Sequence, residues 1–199
     1  MMNVIRKNMC FLVPWFLLVL VCLALMIAIP RIDLHIMLNR HHNEESDVFF
    51  KYFTNIGGNI PWIVCVVMII WRMWMGAYIA SGQVLSTLIV QPLKYAFNHP
   101  RPKVVFEEAG MVLPTVQGID LPMWLSFPSG HSTAIFAMMF AICTLVPKWW
   151  EKVICLAIAI TGAYSRVYLS FHFLDDITAG SVIGVVSVLA VTPFFKISK

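Results

Sequence analysis

Long uncharged runs of hydrophobic residues dominate the chain, and short polar stretches separate them. Six such runs occur, at residues 8–30, 52–71, 73–93, 129–147, 153–165 and 177–195. An α-helix needs about 20 apolar residues to cross the hydrocarbon of a bilayer. The pattern therefore predicts an all-α fold, an integral membrane bundle of six transmembrane helices. The second and third runs are separated by Arg72 alone, which predicts a tight helical hairpin.

The first run follows Arg6 and Lys7, as the apolar part of a secretory signal does. It is too long for a signal, and no small-residue cleavage pattern follows, so we interpret it as a retained first span. The segment 31–51 mixes apolar and charged residues, as does a short helix in the membrane interface, and a plain connector fits equally well. No repeat or linker divides the chain, so residues 1–199 are expected to form one domain.

The composition excludes a water-soluble domain. Hydrophobic residues make up 60% of the 199 positions and charged residues only 12%, and the mean hydropathy is +0.82. Soluble domains are about half apolar and one quarter charged. The five cysteines lie in apolar runs without the CxxC or CxxH spacing of a metal site, so we interpret them as buried thiols.

The distribution of charge predicts the orientation. Six spans place both termini on one side, and that side holds seven basic residues, including Lys196 and Lys199, and one acid, a net charge of +6. The other side then carries −2. Lysine and arginine alone are divided evenly, but some basic residues of the second side cluster and suggest another role. We therefore expect a multi-pass protein of the cytoplasmic membrane with both termini cytoplasmic. The clustered residues, Lys94, Arg101, Lys103 and Arg166, would face the periplasm or the exterior.

Lys94 and Arg101 form the first of three polar clusters at predicted span ends. Ionisable groups near membrane depth cost about 2.5–3.5 kcal/mol each, so several together call for a reason. Lys94 ends the third span, and prolines 100 and 102 hold Arg101 in extended backbone. The two cations can converge on one anion, and the planar guanidinium suits phosphate oxygens. Basic residues at a span end are more often interfacial anchors.

The second cluster, Pro-Ser-Gly-His at 128–131, begins the fourth span. Proline and Ser129 are typical of a helix start, Gly130 lets a ligand approach the backbone, and the unpaired N–H groups there attract anions. His131 could donate a proton to a leaving oxygen, because its unperturbed pKa is about 6.5. A serine cap beside an interfacial histidine is the alternative interpretation.

The third cluster contains Arg166, His172 and Asp176. On a helix, a spacing of four places His172 and Asp176 on one face, so the carboxylate can accept one ring N–H and leave the other nitrogen bare. An activated nucleophile or base has this arrangement. A simple surface hydrogen bond is the commoner explanation of such a pair. Asp175 points elsewhere on a helix and is the less suitable partner.

The three clusters meet at the outer interface in the predicted topology. Three cations, a helix N-terminus and two histidines at one depth describe a phosphate site. The residues themselves do not tell which histidine is the nucleophile.

The clusters resemble the signature of the type 2 phosphatidic acid phosphatase superfamily, K-x6-R-P, P-S-G-H and S-R-x5-H-x3-D. All three motifs are complete and in order, at residues 94–102, 128–131 and 165–176. The resemblance implies a metal-independent hydrolysis of phosphoesters without a cofactor. His172 would attack phosphorus, Asp176 would orient it, and His131 would protonate the departing oxygen and afterwards activate water. The residues implied to bind the phosphate oxygens are Lys94, Arg101, Ser129, Gly130 and Arg166.

The apolar spans favour a lipid phosphate over the vanadate that soluble relatives bind. Bacterial members of this size resemble undecaprenyl diphosphate, phosphatidylglycerophosphate or lipid A phosphatases, and the motifs do not report the lipid. The expected partners are this substrate and membrane lipids, with no nucleic acid and an undetermined oligomeric state. The segment 104–124 is expected to border the entry of the substrate. Its acids, Glu107, Glu108 and Asp120, would repel or orient a multiply charged head group, and a solvated loop is the commoner explanation of them.

Three alternatives stay open. A phosphohistidine can pass its group to an alcohol, which would make the protein a lipid phosphotransferase. A transporter also places charges in a helical bundle, although it predicts ionisable groups near span midpoints. A membrane haem protein would use His131 and His172 as axial ligands, which leaves Asp176 unexplained.

Overall fold

The structure is a computed structural model that describes residues 2–195. Lys196 and Lys199, which enter the charge count, lie outside the described residues. The described part is all helical and contains no strand, which confirms the predicted all-α class. Its helices are α1 (Met2–Lys7), α2 (Met9–Ala28), α3 (Arg31–Asn39), α4 (Glu44–Phe53), α5 (Ile60–Trp71), α6 (Met73–Phe97), α7 (Pro102–Glu108), α8 (Gly130–Leu145), α9 (Trp149–Tyr168) and α10 (Leu174–Val191), with 3₁₀ turns at Thr54–Gly57 and Thr192–Phe194.

Three stretches are long and apolar enough to cross a membrane, namely Met9–Ala28, Met73–Glu108 and Leu174–Phe194. A fourth candidate joins Glu44–Gly57 to Ile60–Trp71, two pieces bent by 50°. Helix α8 is apolar but has only 16 residues. Length and composition therefore support a helical membrane protein with three or four crossings, and the full set of six stays a prediction.

The hydrophobic run 52–71 is not one straight helix. A 3₁₀ turn, Gly58 and Asn59 separate α4 from α5. Adjacent glycines are poor helix formers, and here they also allow close packing, because a Cβ on Gly57 would lie 2.8 Å from the carbonyl oxygen of His131. The predicted interfacial segment 31–51 is helical over most of its length, as α3 and most of α4.

Helix α8 lies at the centre of the bundle and contacts α6, α9 and α10. Two glycines let α10 approach it closely. A Cβ on Gly180 would lie 2.6 Å from the Ser129 carbonyl oxygen, and one on Gly184 would lie 2.5 Å from that of Thr133. Small residues are the usual means of close helix packing in membranes. The first turns of α8 and α10 are thereby joined, and the Ser129 N–H donates to the Asp176 carbonyl at 3.0 Å.

A buried polar network holds the loops at this end of the bundle. The Ser170 hydroxyl donates to the Pro114 carbonyl and accepts from Asn39 Nδ2, both at 2.5 Å, and His35 Nε2 lies 3.2 Å from it. Burial and the nearby Arg31 lower the pKa of His35 to about 4, so its ring is neutral at neutral pH. The network ties α3 and the loop 109–129 to the α9–α10 junction, where His172 lies.

Candidate active site

A cavity of about 460 Å³ lies where α6, α8 and α9 meet the loops, and residues of all three polar clusters line it. The structure therefore brings the clusters together, as the sequence predicted. Two predicted residues do not line the cavity: Asp176 contacts His172, and Ser129 is the N-cap of α8. The six that do are Lys94, Arg101, Gly130, His131, Arg166 and His172.

His172 and Asp176 form a buried pair at the α9–α10 junction. His172 Nδ1 lies 3.3 Å from Asp176 Oδ2, and the two residues are 2% and 0% exposed. The pair spans a helix start and not a helix interior. His172 precedes α10, while Asp176 lies in the first turn and accepts the N–H of Phe173 at 2.9 Å. This backbone contact fixes the carboxylate in the manner of a capping box.

The second ring nitrogen of His172, Nε2, is the one that does not face Asp176, and His172 lines the cavity. With the proton on Nδ1 directed to Asp176, Nε2 is the basic nitrogen, and it lies 3.4 Å from Arg101 Nη1. Burial, followed by the charges of Arg101 and Arg166, lowers the pKa of His172 well below its usual range. The imidazole is therefore neutral at neutral pH and carries the lone pair that a nucleophile needs.

Backbone carbonyls hold two of the three cations. Lys94 Nζ donates to the Leu125 carbonyl at 2.7 Å, and Arg101 donates from Nε to the Trp124 carbonyl at 2.8 Å and from Nη1 to that of Phe171 at 3.1 Å. Leu125 has a φ of +61°, the left-handed region that non-glycine residues seldom adopt. Both side chains thus converge on the loop that precedes α8.

Arg166 is the most deeply buried of the three cations. It is 5% exposed, its guanidinium carbon lies 4.0 Å from the centre of the Phe171 ring, and Nη1 donates to Thr54 Oγ1 at 2.7 Å. Within residues 2–195, no carboxylate forms an ion pair with any of the three cations. Unpaired buried cations are costly, so the site is suited to an anion that neutralises them.

Only two residues of the Pro-Ser-Gly-His segment at 128–131 line the cavity. Gly130 and His131 line the cavity, and a Cβ on Gly130 would lie 3.7 Å from Lys94 Cε. The Ser129 hydroxyl accepts from the Ser132 N–H at 3.4 Å and is fully buried, which is a capping role. A direct contact between Ser129 and phosphate stays a prediction.

Ser126 is a site residue to which the sequence analysis assigned no role. Its hydroxyl donates to Asp176 Oδ2 at 2.5 Å and lies 3.4 Å from His172 Nδ1, and its side chain is fully buried. It adds a hydrogen bond to the oxygen that faces the imidazole. Its position two residues before the Pro-Ser-Gly-His motif is a local signal that could have indicated it.

Two further contacts with the site come from the N-terminal third of the chain, and no local sequence pattern predicts them. One is the bond from Arg166 to Thr54. The other is Arg31, whose Nη2 lies 2.9 Å from Asp175 Oδ2 and 3.8 Å from Asp176 Oδ1. Asp175 therefore pairs with an arginine and not with His172, in agreement with the sequence analysis.

The remaining charged candidates lie apart from the cavity. Lys103 is in the first turn of α7 and does not line it. Glu107, Glu108 and Asp120 are exposed, which favours the solvated-loop explanation of these acids, while Pro122 of the segment 104–124 lines the cavity. Among the described residues, no three His, Cys, Asp or Glu side chains are grouped so that they could hold a metal ion.

This fold and site define a helical membrane protein with a cationic centre built around a buried histidine–aspartate pair. The sequence model of the PAP2 superfamily matches residues 76–198, so the chain belongs to that superfamily. The predicted resemblance is thereby confirmed. The matched region includes all three motifs and omits the helices α1 to α5 and the first three residues of α6.

Individual relatives agree with this assignment. The lipid A 1-phosphatase of Rhizobium etli is 35% identical over 111 residues, which cover 56% of this chain and 46% of the relative, so the chain spans less than half the relative's length. The crystal structure of Aquifex aeolicus LpxE is similar with a TM-score of 0.69 and 25% identity, over 82% of this chain and 94% of that one.

A second solved structure shows the shared fold. It is the transmembrane PAP2-type phosphatidylglycerolphosphate phosphatase from Bacillus subtilis, with a TM-score of 0.56 and 22% identity over 94% of this chain and 95% of that one. This similarity concerns the fold, and the apolar helices are what support a membrane protein.

Proposed function

We propose that the protein is an integral membrane lipid phosphatase that removes the terminal phosphate of a lipid phosphate or diphosphate through a phosphohistidine. The observation that carries this proposal is the buried His172–Asp176 pair beside a cavity lined by three cations and a second histidine. The candidate substrates are undecaprenyl diphosphate, phosphatidylglycerophosphate and lipid A types, and the named relatives support this class. Residues 1–199 would act as one domain.

In the first step, Nε2 of His172 attacks phosphorus while the bond from phosphorus to the lipid oxygen breaks. The positive charge that develops on the ring is stabilised by Asp176, whose carboxylate accepts a hydrogen bond from Nδ1–H. His131 donates a proton to the departing oxygen. Lys94, Arg101 and Arg166 stabilise the charge on the equatorial oxygens, with the amide of Gly130 at the start of α8.

In the second step, water attacks the phosphohistidine. His131, now neutral, accepts a proton from water, the P–N bond breaks, and inorganic phosphate leaves with His172 restored. An acceptor alcohol in place of water would give a phosphotransferase with the same residues.

The test is a phosphate-release assay on purified protein in detergent with a chelator and no added metal. A panel of lipid monophosphates and diphosphates is compared, with His172→Gln protein prepared in the same way as the control. We expect release from at least one substrate. Absence of release from the whole panel contradicts the phosphatase, phosphorylated alcohol without free phosphate indicates a transferase, and phosphate uptake by proteoliposomes without hydrolysis indicates a transporter.

We further propose six spans in the cytoplasmic membrane, with both termini cytoplasmic and the site facing the periplasm or exterior. The test places single cysteines at Gln117, in the loop before α8, and at Lys148, between α8 and α9, in a background without the native cysteines. A membrane-impermeant maleimide applied from outside should label position 117 only. Labelling of position 148 alone would show that the protein has the opposite orientation.

Ser126→Ala should lower kcat about 10-fold and leave KM nearly unchanged. The variant removes a hydrogen bond to a buried carboxylate, and such bonds contribute about 1.5–3 kcal/mol. Steady-state kinetics measure the effect, and Ser126→Thr should recover part of the rate. The control is Ser187→Ala, a buried serine of α10 whose hydroxyl bonds the Ile183 carbonyl. A wild-type kcat in Ser126→Ala would show that Ser126 does not orient the pair.

Thr54→Val should weaken inorganic phosphate as a competitive inhibitor about fivefold. Valine keeps the shape of threonine but leaves Arg166 Nη1 without its acceptor, so the guanidinium is less well oriented. Thr54→Ser should restore the inhibition constant, and Thr115→Val in the exposed loop is the matched control. An unchanged inhibition constant in Thr54→Val would rule out this positioning role.

A further inference from the structure

The cavity extends beyond the cations along one face of α6. Five residues of α6 line it, at positions 86, 87, 90, 91 and 94, a spacing that keeps them on one side of a helix. Lys94 is at the end nearest the histidines. At 1.5 Å per residue, Thr87 lies about 10 Å further toward the start of the helix. The cavity therefore reaches from the proposed phosphate position along α6 toward the start of that helix.

This part of the cavity carries polar side chains, of which Thr87 is half-buried and Gln91 and Asn59 are exposed. Thr87 and Gln91 lie on α6 itself, and Asn59 lies opposite, beside Trp62 at the start of α5. Polar groups within a membrane-spanning helix require hydrogen-bond partners, and such residues commonly mark substrate paths. A pocket for a hydrocarbon chain alone would not need them.

The hydroxyls of α6 differ in how they are satisfied. Ser81 donates to the Ala77 carbonyl at 2.7 Å, and Ser86 donates to that of Gln83 at 2.9 Å. Within residues 2–195, the Thr87 hydroxyl and the Gln91 amide form no such side-chain bond. Both line the cavity, so a bound molecule can reach them.

We propose that Thr87 and Gln91 are specificity-determining residues that bind hydroxyl or amide groups of the substrate head group next to the phosphate. The proposal rests on the proposed phosphatase function. The substrate class it selects is a lipid whose phosphate is attached to a polyhydroxylated head group, a saccharide or glycerol. The cavity volume of about 460 Å³ lies within the ~300–1,000 Å³ of small-ligand sites.

A polyprenyl diphosphate is the disfavoured alternative. Beyond its phosphates it is hydrocarbon, so it would leave the Thr87 hydroxyl and the Gln91 amide without partners when it displaces water from them. A site that hydrogen-bonds a substrate group discriminates against an analogue that lacks the group.

The experiment compares three substrates in wild-type protein and in the Thr87→Val/Gln91→Leu double variant. A glucosamine-linked lipid phosphate and phosphatidylglycerophosphate represent the two sources of hydroxyl groups, and undecaprenyl diphosphate represents the hydrocarbon class. The double variant should lose about 10- to 100-fold in kcat/KM on at least one hydroxylated substrate, and less than twofold on undecaprenyl diphosphate. The hydroxylated substrate with the larger loss identifies the head group.

The matched control is Thr115→Val/Gln117→Leu, which makes the same chemical changes at exposed positions of the loop before α8. It should behave as wild type on all three substrates. Equal losses on all substrates in the Thr87→Val/Gln91→Leu variant, or no loss on any, would overturn the inference. If that variant shows no cooperative thermal transition in detergent, the two single variants are used in its place. The quantity compared is again the loss in kcat/KM on the hydroxylated substrates relative to the loss on undecaprenyl diphosphate.

Failure of the function and failure of the inference give different results. If wild-type protein releases phosphate from none of the three lipids or from the wider panel, the phosphatase proposal falls. If wild-type protein releases phosphate but the ratio between substrate classes is the same in the variant, only the role of Thr87 and Gln91 falls.

Discussion

We expect His172→Ala to abolish phosphate release, with a loss of at least about 10⁴-fold in kcat. Removal of a nucleophile elsewhere costs up to about 10⁶-fold, because the remaining binding groups cannot form the covalent intermediate. The assay follows phosphate release from the best lipid substrate, and rapid acid-free quenching with labelled substrate tests for the phosphoenzyme. Wild-type protein should retain label that is stable to base and labile to acid, and the variant should retain none.

The control for this variant is His41→Ala, an exposed histidine that Arg40 contacts and that does not line the cavity. It should keep wild-type turnover and labelling. Full activity in His172→Ala would end the covalent mechanism. Loss of turnover with retained label would move the nucleophile to another residue, and His131 would be the first candidate, because the sequence alone did not distinguish the two.

We expect His131→Ala to slow turnover by about 10²- to 10⁴-fold on lipid phosphates, the range that general acid–base catalysis contributes. The loss should depend on the leaving group. An alkoxide departs poorly without a proton, whereas a nitrophenolate departs readily, so formation of the phosphoenzyme from nitrophenyl phosphate should be much less affected.

Pre-steady-state kinetics separate the two roles of His131. With nitrophenyl phosphate, the variant should release a burst of nitrophenol and accumulate phosphohistidine, because the attacking water lacks its base. Equal losses on lipid and nitrophenyl substrates in the first step would show that His131 is not the proton donor. Absence of accumulated phosphoenzyme would instead remove its role in water activation.

Much of the site could be predicted because its signals are local. Lys94 lies in the last turn of α6, Arg101 stands between two prolines, and His172 precedes Asp176 by four residues, so each cluster can be recognised within a dozen positions of the sequence. The structure places the three clusters around one cavity, as expected from where the hydrophobic runs end. The direct contact of Ser129 with phosphate stays a prediction, since in the structure its hydroxyl caps α8.

The parts that could not be predicted depend on contacts between distant positions. Thr54 bonds Arg166 across 112 positions, and Arg31 reaches Asp175 across 144. The break between α4 and α5 could not be predicted either. Hydrophobicity alone favours a continuous span over 52–71, but α4 ends at Phe53, and the two glycines that follow the 3₁₀ turn, at 57 and 58, pack against His131.

The sequence by itself determined the helical class, and it indicated a membrane protein and the residues proposed to bind phosphate, because run length, hydropathy and motif spacing are properties of neighbouring residues. Only the tertiary structure decided which side chains orient those residues: Ser126 beside Asp176, Thr54 beside Arg166, and the polar face of α6 within the cavity. The physical reason is that hydrogen bonds and close packing between helices depend on how closely the helices approach, and here that approach is set by glycines on partner helices far apart in the chain.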